Sequence, residues 1–544
     1  MPWIETDIGH APSQAPARGG DGLVAPSALA YRGAGYTEKT LAAWERRNYS
    51  IDAAILPYKR TLEGGVGDLV RNNGYVVGAR QTMVDNIIGP KGLRLSAKPD
   101  WRALGWTEER AQDWAADVES RFRRYANDPA ACDAAGVMDF ADQQTAHYFN
   151  VFEFGESLAL PVWLPDRPGA ASATCFMGVQ PARLRNPLGK PDAPNFRAGI
   201  ETNEYGAPIR YHIAKRNPDD TGTLANWQER YLTEAVDART AWARKRVIHL
   251  MRRTAFGQTR GVSPIAPLLA QFKQLDLFHD YVMKQQILAC LVGLIIETPG
   301  EDLIAAFGGT SQSEAEAAIQ YLDGRQPPDF NGGGQVLNLK VGEKAVPVSA
   351  NVQGAQIDAF VDAFMQELQA GTNLPHELLT KNFSKSSYVG IRAGLAEASR
   401  FFTSDRIWMA TGFCDDFYQL WLEEEVNAGR IEAPGFYDNI AAYTGAKWLG
   451  ARYSFTDRLK EVTASVLAIE NNLSTLEEEI SFSLGEDWRD VLAQRKRELQ
   501  VCGAYGLPLV AGPVAIAAAS APQTDGGADA APSPAPSRKK AEAL

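Results

Sequence analysis

The chain has 544 residues, enough for roughly three or four domains of ordinary size. Apolar residues make up 45% of it, with 12 Trp, 18 Tyr and 22 Phe; this excludes a wholly disordered chain and supplies matter for sizeable cores. The formal net charge of −11 excludes a surface that grips nucleic acid by charge all over, while leaving room for local basic patches.

Residues 1–36 are rich in Gly, Ala and Pro and read as a flexible arm. The opening MPWIETDIGHAPSQAPARGG has neither a basic start nor an apolar core, so no signal peptide is expected. Thr37 is the expected cap of a first helix in YTEKTLAAWERR. Asp68 to Ile88 reads as a helix with a stripe of Leu69, Val76, Val77, Met83, Val84 and Ile87, weakened by Gly74 and Gly78. Thr107 to Ala126 is a clearer one, with Thr107 as cap and Glu108 and Glu109 at the positive end of its dipole. A further helix is expected from Asp139 to about Phe152. Phe154 to Leu164 then reads as a strand, Glu201 to Ile213 as two strands around a turn at Tyr205-Gly206, and Val247 to Leu250 as another strand. The first half is mixed, without the βαβ alternation of a doubly wound sheet.

The second half is more helical. Ser263 and Pro264 are expected to open a long helix through about Cys290, with Ile265, Leu268, Leu269, Phe272, Leu275 and Phe278 at helical spacing. The apolar run Ile287–Ile296 is about half a bilayer span and reads as a buried helix-to-strand junction. LVGLIIE and QVLNLKV read as strands, with a helix Ser313–Leu322 between them and a sharp loop at Asn331. Gln356 to Ala370 reads as a helix ended by Gly371 and Asn373. After the polar loop TKNFSKSSYVG, a long helix is expected from Ile391 to about Ala428, and Val462 to Leu499 in two pieces broken near Gly485. The tail from Ala511 is expected to be disordered.

The chemistry is sparse. Cys132, Cys175, Cys290, Cys414 and Cys502 are scattered and odd in number, without CxxC or Cys/His spacing, so no zinc site is expected and a reduced, intracellular setting fits. His147, His212 and His249 read as packing or hydrogen-bonding residues. Gly89-Pro90-Lys91-Gly92 has lysine beside glycine, but not the GxxxxGK[ST] of a phosphate loop; it reads as a helix end and a turn into a strand. Asp415 and Asp416 are adjacent and point about 100° apart on a helix, so they do not converge by themselves on a metal. The Glu423–Glu425 and Glu477–Glu479 runs read as solvated faces. No catalytic residue, metal or cofactor is expected. The loop Thr380–Gly390 reads either as an exposed connection or as a hydroxyl- and lysine-bearing loop that touches a polyanion without reading bases.

Three stretches then point to a family. DLVRNNGYVVGARQTMVDNIIGPKGLRL, VIHLMRRTAFGQTRGVSPIAPLL and NLPHELLTKNFSKSSYVGIRAGLAEASRFF, in this order, resemble the lambda-type bacteriophage portal proteins over roughly Tyr36 to Gly429. The resemblance implies a non-enzymatic subunit of a ring, usually of twelve, at one capsid vertex. Double-stranded DNA enters, is retained and leaves through such a ring. It implies an α+β, largely helical fold: wing 37–262, first stem helix 263–290, clip 291–350, second stem helix 351–371, tunnel loop 372–390, tunnel-side helix 391–432, helical crown 433–512 and disordered tail 513–544. Gly257, Gln258, Thr259, Arg260, Gly261, Ser263 and Pro264 form the family motif at the stem start. Lys381, Asn382, Ser384, Lys385, Ser386, Ser387 and Tyr388 correspond to the channel loop. The implied partners are further copies of the chain, a terminase, head-completion proteins, a major capsid or scaffold protein and DNA, with no membrane. The implied place is the virion, after assembly in the host cytoplasm. The arm has no clear counterpart, and its Ala17–Gly20 stretch would permit proteolytic trimming; Ser537-Arg538-Lys539-Lys540 reads as a solvated end. The competing readings are a metal-dependent phage nuclease built on Asp415, Asp416 and the Glu-rich helices, and a capsid or tail scaffold unit that never encloses DNA.

Overall fold

The computed structural model describes residues 47–217, 219, 232–290, 293–297, 344–348, 354–384, 387–450 and 458–505. The arm 1–36, the Thr37 cap, the helix Ser313–Leu322, the Asn331 loop, the QVLNLKV strand, Lys385, Ser386 and the tail 513–544 lie outside the described residues.

Three short-range signals set the first helices. Ser50 caps α1 (Ile51–Ile55). The expected helix Asp68–Ile88 is two helices, α2 (Lys59–Asn72) and α3 (Gly74–Ile87). Asn73 makes the break: its backbone is extended, its side-chain oxygen caps α3 by accepting from Val76 N at 3.1 Å, and its amide donates to Asp276 at 2.8 Å. Gly89 and Gly92 then have φ of 80° and 69° and turn the chain into β1 (Arg94–Ala97). A Cβ on Gly92 would lie 2.7 Å from that of Ala141, so the glycine-rich turn serves close packing.

Thr107 caps α4 (Glu108–Ala126), Asp128 caps α5 (Pro129–Cys132) and Asp139 caps α6 (Phe140–Phe154), each through its side-chain oxygen. Gly155, at φ 77°, ends α6 and leads into β2 (Glu156–Trp163). With β3 (Thr174–Val179) and β8 (Ile248–Met251) it forms an antiparallel sheet in the order β3-β2-β8. A second antiparallel sheet runs β4 (Phe196–Arg197), β5 (Ile200–Thr202), β6 (Pro208–Ala214), β7 (Thr233–Asp237). The turn expected at Tyr205-Gly206 joins β5 and β6, with Asn203 accepting from the Tyr205 and Ala207 amides.

The long helix expected from Ser263 starts later. Ser263 accepts from the Ile265 amide at 3.3 Å and donates to the Phe152 carbonyl at 2.6 Å, a 3₁₀ turn follows at Ala266–Leu268, and α7 runs Leu269–Cys290. Strand β9 (Gly293–Glu297), within the expected LVGLIIE strand, pairs antiparallel with β10 (Lys344–Val348). Then come α8 (Gly354–Thr372), left-handed Asn373, and α9 (His376–Thr380). The helix expected from Ile391 begins at Tyr388: α10 (Tyr388–Met409) continues through a π turn, Ala410–Cys414, into α11 (Asp415–Asn427). The stretch 433–512, expected to be helical, contains α12 (Ile440–Tyr443) and also β11 (Ala446–Leu449), which pairs with β1. Its later part is three helices rather than two: α13 (Arg458–Glu470), α14 (Leu476–Leu484) and α15 (Trp488–Ala504).

Three cores result. The first is aromatic: Phe122 of α4, Phe140 of α6, Phe176 of β3 and Phe417 and Trp421 of α11 pack together, with the Phe176 and Phe417 rings 3.8 Å apart. The second joins α2, α3, α6, α7, α8 and α10 through Val66, Val76, Phe152, Phe272, Leu368 and Phe402. The third lies between the sheets, around Leu158, Val179, Ile200 and Tyr211. The α10–α11 rod feeds the first two. By contrast, α13, α14 and α15 bury no described residue; α13 meets α10 through the Arg392–Glu461 pair, and α14 and α15 dock beside β1 and α4 through polar contacts. Lys98 pairs with Glu477 at 2.8 Å, Arg123 with Asp490 at 3.0 Å, and Arg94 donates to the Gly485 carbonyl. Beside them, burial pushes Glu119 up to about 7, although it accepts from the Ala97 amide.

His147 is buried, with Nδ1 2.6 Å from the Ser157 hydroxyl and its ring 4.4 Å from that of Phe413. Burial lowers its pKa from 6.5 to about 4. The unfolded chain takes up this proton near pH 6.5 and the folded one only near 4, so the contribution is complete above 6.5 and lost as pH falls. It amounts to about 3 kcal/mol across that window. Thermal unfolding followed from pH 7 to 4 is expected to show this loss, and a shallower one in His147→Asn.

Candidate functional site

Two groups of residues singled out by the sequence fold into two different places. The motif Gly257–Pro264 is wound around a buried carboxylate. Glu156, the first residue of β2, has no solvent exposure. Arg260 donates from Nε to its Oε1 at 2.7 Å, the Gly261 amide reaches Oε2 at 2.8 Å, and Lys59 and His249 lie 3.1 and 3.0 Å away. Burial alone would raise the Glu156 pKa; Arg260 first, then Lys59 and His249, overturn that and hold it well below the usual carboxylate range.

Each remaining donor of the cluster also has a partner. Arg260 spreads its fork to the carbonyls of Leu184 at 3.0 Å, Ala198 at 2.7 Å and Pro181 at 3.1 Å. Lys59 donates to the carbonyls of Gly261 at 2.7 Å and Phe154 at 3.1 Å, and pairs with Glu63 at 3.0 Å. Gln258 accepts from the Thr254 amide at 2.7 Å and donates to the Arg260 carbonyl at 2.9 Å. Thr259 donates its amide to Asp52 of α1 at 2.8 Å, and Arg197 of β4 pairs with the same Asp52 at 3.2 Å. Gly257 turns the loop with φ 76°. A Cβ on Gly261 would sit 2.2 Å from the Gly155 oxygen, and one on Gly155 would sit 2.1 Å from the Val262 backbone, so two strands of backbone meet where only glycines fit. Pro264 is exposed and follows the Ser263 anchor. The motif is thus a clamp joining α1, α2, the α6–β2 corner, both sheets and the start of α7.

The second group lies on the surface between α9 and α10. Lys381 is left-handed, at φ 58°, and its ammonium donates to Thr82 of α3. Asn382 accepts from the Ser384 amide at 3.0 Å and hydroxyl at 2.7 Å. Ser387 caps α10 by accepting from Gly390 N at 3.2 Å. Tyr388 is exposed, with the Arg392 guanidinium 5.9 Å from its ring centre, and Arg392 pairs with Glu461 of α13 at 3.0 Å. The loop is therefore braced at both ends, with exposed Phe383 and Val389 beside its polar groups.

The carboxylates of α11 do structural work. Asp415 accepts from the Trp448 indole at 2.7 Å and Asp416 pairs with Lys245 at 2.6 Å, so the two are drawn apart. Among the described residues no group of three or more His, Cys, Asp or Glu could hold a metal ion. The Glu423–Glu425 run is not a solvated face: Glu424 accepts from the Ala173 and Thr174 amides at 2.7 Å each, and Glu425 accepts from Ser172 at 2.8 Å and pairs with Arg430 at 2.7 Å. Both are buried because the loop before β3 crosses this end of α11. Sequence reasoning missed Glu156, Lys59 and Asp52. The available signal was a lone glutamate opening an otherwise apolar strand, ESLALPVW, which calls for a buried cation.

The family described as phage portal protein, lambda family, matches residues 37–406, a span that contains both the clamp and the loop. The chain belongs to the lambda family of phage portal proteins. Portal protein B of Escherichia phage lambda is 28% identical over 490 residues, covering 86% of this chain and 88% of the relative. The portal protein of Escherichia phage N15 is 30% identical over 493 residues, covering 86% and 89%. A solved neck of an empty gene transfer agent particle has 12% identity and a TM-score of 0.37, covering 64% of this chain and 81% of that one; a score so low carries no argument. The portal chain is a subunit of the capsid's portal vertex, and its fold is α+β and largely helical.

In this portal subunit the clamp is the point of greatest leverage. Arg260→Met is expected to leave three carbonyls without their donor and to strip the buried carboxylate of its principal cation, lowering stability by about 3–5 kcal/mol. Arg260→Lys is expected to recover only a small part, since an ammonium cannot reproduce the fork. Urea unfolding midpoints of the two variants check this.

Proposed function

We propose that this portal subunit closes head to tail into a ring, of twelve copies, and that double-stranded DNA passes through the centre during packaging and ejection. The observation that carries the reading is the family match across residues 37–406, with two relatives aligned over 86% of the chain. In this reading residues 37–262 form the wing, 263–290 (with α7) and 351–371 (with all of α8 but Thr372) the stem, and 291–350 the clip that meets the terminase and, later, head-completion proteins. Residues 391–432 line the tunnel side, and 433–512 form the crown. The wing faces the major capsid or scaffold protein. Assembly takes place in the host cytoplasm and the ring ends in the virion.

The loop 372–390 carries the DNA contact through Lys381, Asn382, Ser384, Lys385, Ser386, Ser387 and Tyr388. Short hydroxyl and amide groups and few cations suit a moving polyanion, because each phosphate neutralised adds affinity and therefore drag. The net charge of −11 serves the same end. The Lys381–Thr82 bond fixes one cation against α3 instead of leaving it on a free tether. The work of translocation is left to the motor, and the subunit is structural.

Electron microscopy with mass photometry is the direct test: rings with a central hole are expected, and a strictly monomeric protein at every salt concentration would overturn the reading. The double variant Lys381→Ala/Lys385→Ala is expected to form rings normally and to package or retain DNA several-fold less well in an assembly assay. Unchanged packaging would remove these lysines from the channel function.

A further inference from the structure

Among the described residues, the core between the two sheets is left open at one end. Leu160 of β2, Met177 of β3 and Val236 of β7 pack against that core but are only partly buried. They floor a groove of about 600 Å³, and the exposed Trp163, at the end of β2, stands in its wall. Thr174 of β3 also lines the groove. It is buried, and among the described residues its hydroxyl has no hydrogen-bond partner. A hydroxyl out of water calls for an acceptor.

The rim of the groove is cationic. Five Lys and Arg side chains line it against one carboxylate, Glu234. Arg244 and Lys245 are paired with Glu423 and Asp416 of α11, at 3.0 and 2.6 Å. The other three keep their charge unspent. Arg183 donates Nε to the Ala214 carbonyl at 2.7 Å and Lys215 is exposed; among the described residues neither has a carboxylate partner. Arg246 lies 4.0 Å from Asp237, which Arg210 already holds at 2.9 Å. In a chain of net charge −11 this is a local reversal of sign, and it selects for an acidic occupant. The apolar floor selects further. It rewards aliphatic side chains, whereas a phosphate backbone gains nothing from it.

We propose that this groove holds an acidic segment of the major capsid protein, with aliphatic side chains on the floor and carboxylates against Arg183, Lys215, Arg246 and the Thr174 hydroxyl. The choice of occupant rests on the function proposed above: a ring set into one capsid vertex has the shell as its lasting neighbour. Trp163 and the arginines are the residue types that anchor such contacts.

Carbodiimide coupling, which joins an amine directly to a carboxylate, tests this in assembled particles read by mass spectrometry. Lys215 is expected to be joined to Asp or Glu of the major capsid protein, and Lys215→Arg to lose that link. The variant Lys215→Glu/Arg246→Glu is expected to melt at the same temperature, to form rings, and to enter capsids about tenfold less often. Lys215 joined to another copy of this chain, to a scaffold protein or to nothing overturns the proposal. So does a formaldehyde link from Lys215 to packaged DNA, or normal capsid entry of the double variant. Rings are scored separately by microscopy: their absence counts against the proposed function, and intact rings without the capsid link count against this site alone.

Discussion

Everything in this subunit hangs from one buried carboxylate. Glu156 sits where α6 turns into β2, and a charge there is tolerable only because Arg260, Lys59 and His249 converge on it. Their other donors reach backbone carbonyls on separate segments, at Pro181, Leu184, Ala198, Phe154 and Gly261. An apolar replacement could match the cluster in stability, but it could not specify that these five backbone positions meet. The glycines at 155 and 261 belong to the same device, because the clamp closes only if two backbones touch. Position, rather than strength, is what the cluster supplies, and the position it fixes is the entry into α7.

The α10–α11 rod transmits that order. Its first half packs into the helical core through Ala398 and Phe402, and its second half into the aromatic core through Phe413, Phe417 and Trp421. The π turn at Ala410–Cys414 lies between them, where Gly412 lets Leu250 of β8 approach so closely that a Cβ would meet it at 2.5 Å. A π turn rotates the following face of the rod, which is how one helix serves two cores. The C-terminal helices obey a different rule. None of their described residues is fully buried, and ion pairs and polar hydrogen bonds hold them, so their attachment responds to salt and pH far more than the cores do.

Much of this was written locally. Thr107 and Asp139 cap α4 and α6 as their side chains demand, Gly89 and Gly92 turn into β1, and Asn203 with Gly206 makes the β5–β6 turn. Where reading failed, a distant partner had intervened. Asn73 looked like a polar residue within one helix, yet it caps a second helix and bonds to Asp276 far along the chain. Ser263 looked like the start of α7, yet while its oxygen accepts from the Ile265 amide at 3.3 Å its proton goes to the distant Phe152 carbonyl, and the helix opens only at Leu269. Glu424 and Glu425 looked solvated because charge runs usually are; a loop from residues 172–174 covers them.

The sequence by itself determined the family, through three ordered motifs, and the helical and strand character of most segments, because caps, glycines and apolar period act over a few residues. It also marked the Thr380–Gly390 loop as polar and separate. Only the tertiary structure decided which charges are buried and that the Gly257–Pro264 motif is a clamp around Glu156. Those features depend on residues far apart in the chain being brought within 3 Å of each other, and no local pattern encodes that distance.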